Sequence, residues 1–572
     1  MKMEPHQPLV PIVLAVTGHR DVREADLTAL AAAVTAQLRL LSEKHPHSPC
    51  VLLSGLAEGA DRLAARCALE VGWTLGVVLP LPQDSYQQDF TDPDSLEEFN
   101  DLLARAAWCR DISVPDMGRP ECYDVLGEWL ARHSHALLAL WDGEPGRGPG
   151  GTAEVVRRFL EGASQDQEHL VVADTGPVIH IHTPRASSSL QTSAALAGTV
   201  EYLNPRPGGL AGGLDVERWN AALGRIDQFN RDVEQADQKG LLAGLAQSTA
   251  LPLPPDAKEL SSEDLPMASR SLFLVADKMA IQAQRERSLM FKALLFLAAG
   301  ALVLAQTYSS LFTLAPILLS AIVLSCLGIA WYRVSQTRHV EQRYLDYRAL
   351  AEASKIQYFW RVAGVSDSVC DHYLRQQSDE LEWIRLALRS TTMRDPVNSE
   401  RPPRHWLRWV RDNWLEDQRR YFLGAGNGRA GKAAQNRQLD EVWSRRSQLL
   451  AVAGAALMLV TAGFHLLVAD LTLSLHDWLL RSLLVVYSIV FGAAGLCKVY
   501  QQTSAFSEHA KKYERTGRTL QVALGRMDAA FDAGDDAGAV GVIRSFGIEA
   551  LDENGDWLLL HRERPVSAQG FG

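Results

Sequence analysis

Four uncharged apolar runs, set as two close pairs, constrain this chain more than any other feature of its sequence. Residues 311–332, LFTLAPILLSAIVLSCLGIAWY, hold no charged side chain. About twenty apolar residues span the hydrocarbon core of a bilayer. Residues 293–305 are likewise uninterrupted, and that run reaches back to Leu289 when the Lys292 stem snorkels to the interface. The linker 306–310 is short and uncharged, so the two runs read as one tight hairpin. A second pair follows, 449–469 with only His465 inside it, and 479–497 with Arg481 near its start. Buried core helices are the alternative, but soluble proteins rarely hold four such runs in two matched pairs. The expected spans are about 289–307, 311–332, 449–469 and 479–497. They make the C-terminal part an all-α membrane domain with four transmembrane helices in two hairpins, and the lipid bilayer its first partner.

Charge placement orients the hairpins. Arg285, Arg287, Arg333 and Arg338 flank the first, and Arg445, Arg446, Lys498, Lys511 and Lys512 flank the second. The hairpin turns hold almost no cations. The positive-inside rule then places a multi-pass protein in the plasma (inner) membrane, with its N- and C-terminal parts cytoplasmic. The opening MKMEPHQPLVP lacks a basic stretch followed by an apolar one, so no signal peptide is expected. The formal net charge of −11 leaves no global basic field for holding nucleic acid. Seven scattered cysteines without a CxxC pair argue against a zinc site or a disulfide framework. Reduced cytosolic thiols fit them better.

The hairpins also read as an internal repeat. A polar helix with a basic end precedes each one (276–287; 439–446), and a tyrosine-bearing charged helix follows. RYLDYRALAEA from Arg343 compares with KKYERTGRTLQVA from Lys511. All of these helices are expected to continue the spans into the cytoplasm.

Residues 11 to about 190 have a different grammar, with short continuous apolar strands alternating with helices. Strands are expected at 12–16, 50–53, 75–79, 136–140 and 177–181, with a helix over 24–42. This pattern indicates a Rossmann-like, doubly wound parallel α/β sheet. In such sheets ligands sit beyond the carboxyl ends of the strands, and the unusual residues of this chain fall there. Thr17, Gly18, His19 and Arg20 follow the first strand. Ser54, Gly55, Glu58, Gly59, Asp61 and Arg62 follow the second. Asp142 and Gly143, then Gly150, Gly151, Thr152 and Glu154, follow the fourth, and Thr183 and Arg185 follow the fifth. Glycine turns that open helices let the backbone approach an anion beside free N–H groups. Thr152 adds a hydroxyl. Arg20, Arg62 and Arg185 supply phosphate-pairing charge. Asp61, Asp142 and Glu154 are placed to accept from ribose hydroxyls. Plain strand-to-helix turn chemistry is the alternative, and convergence at one sheet edge favours a nucleotide-type ligand.

SGLAEGADRLAA followed by WDG…GPGGTAEVV resembles the SLOG superfamily, which includes LOG-type phosphoribohydrolases, DNA-uptake proteins and the N-terminal domains of TRPM channels. TGHR, PLPQDSYQQDF and HIHTPR fit the same bacterial branch, and the resemblance covers about residues 10–200. The paired hairpins, with EASKIQYFWRVAGV and ENGDWLLLHRERP, resemble the SLATT two-helix effector modules that accompany SLOG domains in bacterial conflict systems. The resemblance implies a nucleotide or NAD-derived ligand, with no cofactor required. Catalytic members carry PGGxGTxxE. Here Pro149-Gly150-Gly151-Thr152-Ala153-Glu154 lacks the later glycine and puts Glu154 two residues after Thr152. On a helix that change rotates the carboxylate by about a hundred degrees. The paired Arg-Lys catalytic segment of the family also has no counterpart. Ligand binding without turnover is therefore the first reading.

Other motifs carry less. Gly426 to Lys432 satisfies GxxxxGK, but Ala433 stands where a P-loop needs Ser or Thr, and the segment before it reads as a helix end, so a linker is expected. His180 and His182 share a strand face with no third metal ligand in view, and no metal site is expected. The tryptophans of 401–422 fall at helical spacing, for packing or for a membrane interface. Residues 367–389 read as a solvated bundle or coiled-coil element. The expected divisions are 1–205 for the ligand domain, 206–265 for a linker or insertion and 266–365 for the first membrane module. A cytoplasmic helical segment (366–436), the second module (437–530) and a cytoplasmic tail (531–572) follow.

These expectations combine into a homo-oligomeric membrane effector. A nucleotide-type signal, made by a partner enzyme, binds the α/β domain, and the hairpins open a pore or disrupt the bilayer in antiphage defence. Small polar residues Thr307, Ser309, Ser320, Ser325, Thr461 and Ser488 are candidates for lining a path, or for helix packing. Two other classes stay open: a membrane-anchored nucleotide N-glycosidase using Glu154 and Arg62, and a nucleotide-regulated transporter.

Overall fold

The computed structural model describes residues 9–145, 150–161, 176–187, 196–205, 215–257, 259–260, 264–337, 340–373, 378–396, 402–425, 429–468 and 474–563. The chain divides into two compact units. One comprises Met1–Ala276, Leu350–Arg361 and Ser366–Ser399, the other Asp277–Ala349, Val362–Val365 and Glu400–Gly572.

The first unit is built on a seven-stranded sheet: β1 (Ile12–Gly18), β2 (Cys50–Ser54), β3 (Thr74–Leu79), β4 (Trp108–Asp111), β5 (Ala136–Trp141), β6 (Val178–His182) and β7 (Val200–Leu203). Their order is β4-β3-β2-β1-β5-β6-β7. Six strands are parallel, and β7 joins β6 antiparallel. The winding reverses between β1 and β5, and in open α/β sheets ligands bind beyond the strand ends at such a switch point. The five expected strands are present within two residues of their predicted ends. The expectation passed over β4 and β7. WCRD and VEYL are short edge strands with half-exposed side chains, so neither shows the continuous apolar run of an interior strand.

Helices α1 (Leu27–Lys44) and α2 (Ala60–Glu70) follow the first two strands. Leu30, Val34, Leu38 and Leu41 give α1 one buried stripe at helical spacing. A one-turn α3 (Gln83–Tyr86) and α4 (Pro93–Arg105) follow β3. Next come α5 (Arg119–His133) and α6 (Thr152–Glu161). Leu126 and Leu130 of α5 and Val155, Val156 and Phe159 of α6 bury the sheet face carrying Val13, Ala15, Leu137 and Ala139. Ile12, Leu14 and Val16 on the alternate pleat are also fully buried, so the central strands are covered on both faces.

Residues 206–265 hold more than a linker. Their α7 (Val216–Gln238) is capped by the Asp215 carboxylate accepting from Arg218 N at 2.8 Å. It buries Trp219, Ile226 and Phe229. The Asn230 amide grips the Val10 backbone at both its N–H and its carbonyl, each at 2.9 Å. The chain then runs through α8 (Met267–Ser310), α9 (Ala315–Thr337) and α10 (Val340–Val362), and returns to the first unit as α11 (Ser378–Thr392).

The solvated element expected over 367–389 is corrected here, because α11 is core. Trp383, Ile384, Ala387 and Leu388 are fully buried or nearly so. Its described charges, Glu382, Arg385 and Arg389, are enclosed as well. Arg385 pairs with Glu382 at 3.2 Å, and the carbonyl of Leu386 meets His135 Nε2 at 3.0 Å. Paired, hydrogen-bonded charge tolerates burial where isolated charge does not, so charge density alone misread the segment. Beyond α11, the fully buried Asp395 caps α8 by accepting from the N–H groups of Ala268 (3.0 Å) and Ser269 (3.2 Å).

Among the described residues, the named elements of the second unit are all helices. Besides parts of α8–α10 it holds α12 (Arg404–Val410), a π turn (Arg411–Glu416), α13 (Asp417–Leu423), α14 (Lys432–Val468), α15 (Ser474–Thr503), α16 (Phe506–Asp532) and α17 (Asp536–Glu563). Four of its helices are long and apolar enough to cross a membrane, as the four runs predict. Helices α8 and α14 begin well before their apolar stretches, so the polar segments ahead of the hairpins do continue the spans. On the exit side the expectation fails at the second hairpin, where a turn at residues 504–505, with Ala505 at φ 47°, separates α15 from α16. Close helix crossings use glycine. A Cβ on Gly492 would lie 2.3 Å from Leu302 Cδ2, and one on Gly454 would lie 2.8 Å from the Phe491 ring. Trp406, Val410 and Trp414 are buried, so of the two readings for the tryptophan helix, packing holds.

Candidate functional site

The carboxyl ends of β1, β2 and β5 converge at the point where the winding reverses, and two glycines make that convergence possible. A Cβ on Gly18 would sit 2.3 Å from Ala60 Cβ and 2.9 Å from the Leu140 carbonyl oxygen. One on Gly59, whose φ is 79°, would sit 2.3 Å from the Arg20 carbonyl oxygen. The end of β1 therefore lies directly on the start of α2. Ala60 N donates to the His19 carbonyl at 3.0 Å, so part of the α2 N-terminus is satisfied by the TGHR turn itself.

Asp61 bonds the two turns together. Its buried carboxylate accepts from the N–H groups of Ala57 and Gly18. Burial pushes its pKa up to about 7, against those hydrogen bonds and the nearby Arg20 and Arg62. Arg62 is 1% exposed; its Nε and Nη1 are spent on protein, while Nη2 is buried without a hydrogen-bond partner among the described residues. Nε donates to the Leu56 carbonyl at 3.1 Å and Nη1 to the Ser95 carbonyl at 2.7 Å, while the guanidinium lies 4.4 Å from the Phe90 ring centroid. Glu58 accepts from the Ser95 hydroxyl. Ser54 accepts from Leu56 N at 3.0 Å, which helps hold Leu56 at a left-handed φ of 52°. Gly55 packs against Leu126.

A second cluster joins β1, β5 and β6. Asp142 accepts from Arg185 Nε at 2.7 Å and faces His19 Nε2 at 3.1 Å. Burial acts to raise the Asp142 pKa, but the Arg185 hydrogen bond, the Glu144 N–H and the His19 ring outweigh it and hold the carboxyl below the usual range. Burial also lowers the His19 pKa, which Asp142 only partly opposes. Asp142 N donates to the His19 Nε2 at 3.0 Å. Thr183 is fully buried, its hydroxyl on the Ile181 carbonyl at 2.9 Å. Gly143, at φ 85°, has open space around it.

Arg20 is the exposed cation of the group. Its guanidinium lies 5.3 Å from the Tyr123 ring centroid and hydrogen-bonds that hydroxyl, which in turn donates to Asp89. Gly150 packs against the Tyr123 Cβ and the backbone at the start of α5, bringing the start of α6 beside the start of α5. Tyr123 and Asp89 had no sequence signal, because a contact to Arg20 across a hundred residues leaves no local pattern. The loop 146–149 that precedes α6 lies outside the described residues. Glu154 is held by Arg157 at 2.6 Å and Arg158 at 3.2 Å. The Arg157 hydrogen bonds, followed by Arg158, keep its carboxyl below the usual range despite partial burial.

Of the other motifs, His180 Nε2 meets the Trp141 carbonyl at 3.0 Å, and no cluster of three metal-ligating side chains occurs among the described residues. Helix α13 precedes Lys432 where a P-loop needs a strand, and residues 426–428 lie outside the described residues. In the apolar helices, the hydroxyls of Thr307, Ser320, Ser325, Thr461 and Ser488 each donate to the carbonyl four residues earlier, and that of Ser309 to Gln306. They are satisfied without water or a neighbouring helix.

Neither a scan of protein-family models nor a search of curated proteins finds a match to this chain.

Proposed function

We propose that this chain is a membrane effector in which the sheet-bearing unit senses a nucleotide-derived signal and the two hairpins answer by opening a pore or disrupting the bilayer. One observation carries the reading. A parallel sheet with a winding reversal, crossed at its strand ends by Arg20, Tyr123 and the α6 N-terminus, shares one chain with four membrane-length helices that turn apolar side chains outward. The first is an arrangement that suits phosphate and base, and the second suits lipid. The SLOG and SLATT resemblances supply the rest: a Rossmann-like ligand domain, a partner enzyme that makes the signal, a homo-oligomeric assembly and a role in antiphage defence. The flanking cations support a plasma-membrane location with both termini cytoplasmic.

The geometry of Glu154 favours sensing over N-glycosidase chemistry. A general acid needs a raised pKa and a free approach to the leaving group, and two arginines impose the opposite on Glu154. The test is reconstitution of the full chain in dye-loaded vesicles challenged with a panel of nucleotides and NAD derivatives. Dye release by one ligand, lost in Arg20→Ala and in Leu319→Arg, is the expected result. Turnover of a nucleoside monophosphate that disappears in Glu154→Gln would overturn the sensor reading in favour of the hydrolase. Selective solute flux without leakage would favour a transporter.

A further inference from the structure

The cytoplasmic ends of the hairpins carry a constellation that neither the ligand site nor the spans require. Trp443 of α14 packs on Tyr500 of α15 with ring centroids 4.7 Å apart, and Tyr500 stacks on Phe291 of α8 at 6.2 Å. Three helices thus share one aromatic floor. The Ser447 hydroxyl donates to the Ala494 carbonyl at 3.0 Å and Gln501 to Asp440 at 2.8 Å, so the antiparallel α14 and α15 are in register here, with Lys498 level with Trp443, about one turn outward of Arg446. Lys292 follows Phe291 on α8. At about 1.5 Å of rise per residue, Arg445 and Arg446 lie only about 5–6 Å outside the apolar stretch that starts at Leu449, which is the depth of lipid headgroups.

Arg446 sits with its guanidinium 5.0 Å from the Trp443 centroid, and Arg445, Arg446, Lys292 and Lys498 are all exposed. None of the four forms an ion pair among the described residues. Lys498 instead donates to Gln501 at 3.0 Å, and Gln501 donates to Asp440 at 2.8 Å. Along α14, Asp440 and Glu441 stand about a turn or more further from the apolar stretch than Arg445 and Arg446. A basic cluster over an aromatic floor at headgroup depth complements a phosphodiester whose acyl chains lie along the neighbouring apolar helix faces.

We infer that Lys292, Arg445, Arg446 and Lys498, with Trp443 and Tyr500 beneath them, form a binding site for an anionic phospholipid headgroup. The inference rests on the membrane reading above. The full chain, reconstituted in phosphatidylcholine vesicles, is titrated with brominated phosphatidylglycerol or brominated phosphatidylcholine, and quenching of tryptophan fluorescence reports relative occupancy. Trp443→Phe isolates the signal from this position. Phosphatidylglycerol should be preferred, by roughly five-fold for each cation that contacts it, and less so at high salt. Arg445→Gln with Arg446→Gln should bring the preference down, while Arg446→Lys should retain most of it. Equal quenching by both lipids, or an undiminished preference in the double variant, would overturn the site. Millimolar inorganic phosphate abolishing the preference would overturn the headgroup assignment in favour of a soluble anion. No quenching by either lipid would overturn the membrane reading as well, so the two failures are distinguishable.

Discussion

The sheet-bearing unit and the apolar hairpins use the same side chains in opposite senses. In the first, leucine, valine and isoleucine point inward, and β1 and α11 are buried along most of their length. In the second, Leu319 is 65%, Phe296 77% and Leu466 80% exposed. Burial of apolar surface from water drives the first arrangement. The second is stable only where the surroundings are themselves apolar and each helix satisfies its own backbone. The difference teaches that hydrophobicity alone does not locate a core, and substitutions should separate the two cases.

The largest expected effect is at Trp383. Trp383→Ala should cost about 3–5 kcal/mol, read as a loss of midpoint in chemical denaturation. Leu466→Ala on the outward face should change detergent-solubilised stability by no more than a few tenths of a kcal/mol, since it opens no cavity. Leu319→Arg should cost about 3 kcal/mol of membrane insertion, visible as loss from the membrane fraction while the sheet-bearing unit still folds. An equal effect of the two alanine variants would break the inside-out comparison.

Gly59→Ala should destabilise the first unit by at least about 1 kcal/mol, because the new Cβ meets the Arg20 carbonyl and φ is positive. Hydrogen exchange of the first turn of α2 would detect it. Gly143→Ala, where φ is also positive but the space is open, should cost less.

The two units should also respond to pH with opposite sign. Burial raises Asp61 from 3.8 to about 7, so the fold takes up its proton more readily than the unfolded chain does. That contribution is complete below about pH 4 and is lost as pH rises through about 7. In the second unit burial, helped by His561 and Lys512, lowers His509 to about 4. Its ring stacks on His561 at 5.3 Å and on Tyr513 at 5.8 Å, with Arg287 and Glu508 also facing it. Here the unfolded chain binds the proton more readily, so stability is lost as pH falls from 6.5 towards 4. Asp61→Asn should flatten the alkaline side of the stability profile and His509→Gln the acidic side. Domain-resolved hydrogen exchange between pH 4 and 8 would show whether the signs differ.

Glu154→Gln should also have only a small effect. The carboxylate and its arginines are partly exposed, so screening limits the loss to less than about 1 kcal/mol, and ligand-triggered dye release should persist.

Much of this molecule is legible before folding. The apolar runs at 311–332 and 449–469 declare membrane-length helices because a bilayer demands about twenty apolar residues in succession. Strands β1, β2, β3, β5 and β6 declare themselves because an interior parallel strand is apolar on both faces. The short edges β4 and β7 do not, since a half-exposed strand of four residues has no distinctive pattern.

At the candidate site, the strand-end turns are visible in the sequence but the fate of each side chain is not. Arg20 and Arg62 look alike as residues just after strands. Packing leaves Arg20 at the surface over Tyr123 and encloses Arg62 among Leu56, Ser95 and Phe90. Likewise, the charges of α11 read as a solvated face until His135 and Ser134 are found against it. Residue type and spacing are local quantities, and they determine which elements form and which of them suit lipid. Which polar groups stay available is a matter of contacts between residues far apart in sequence, and only the tertiary structure decides that.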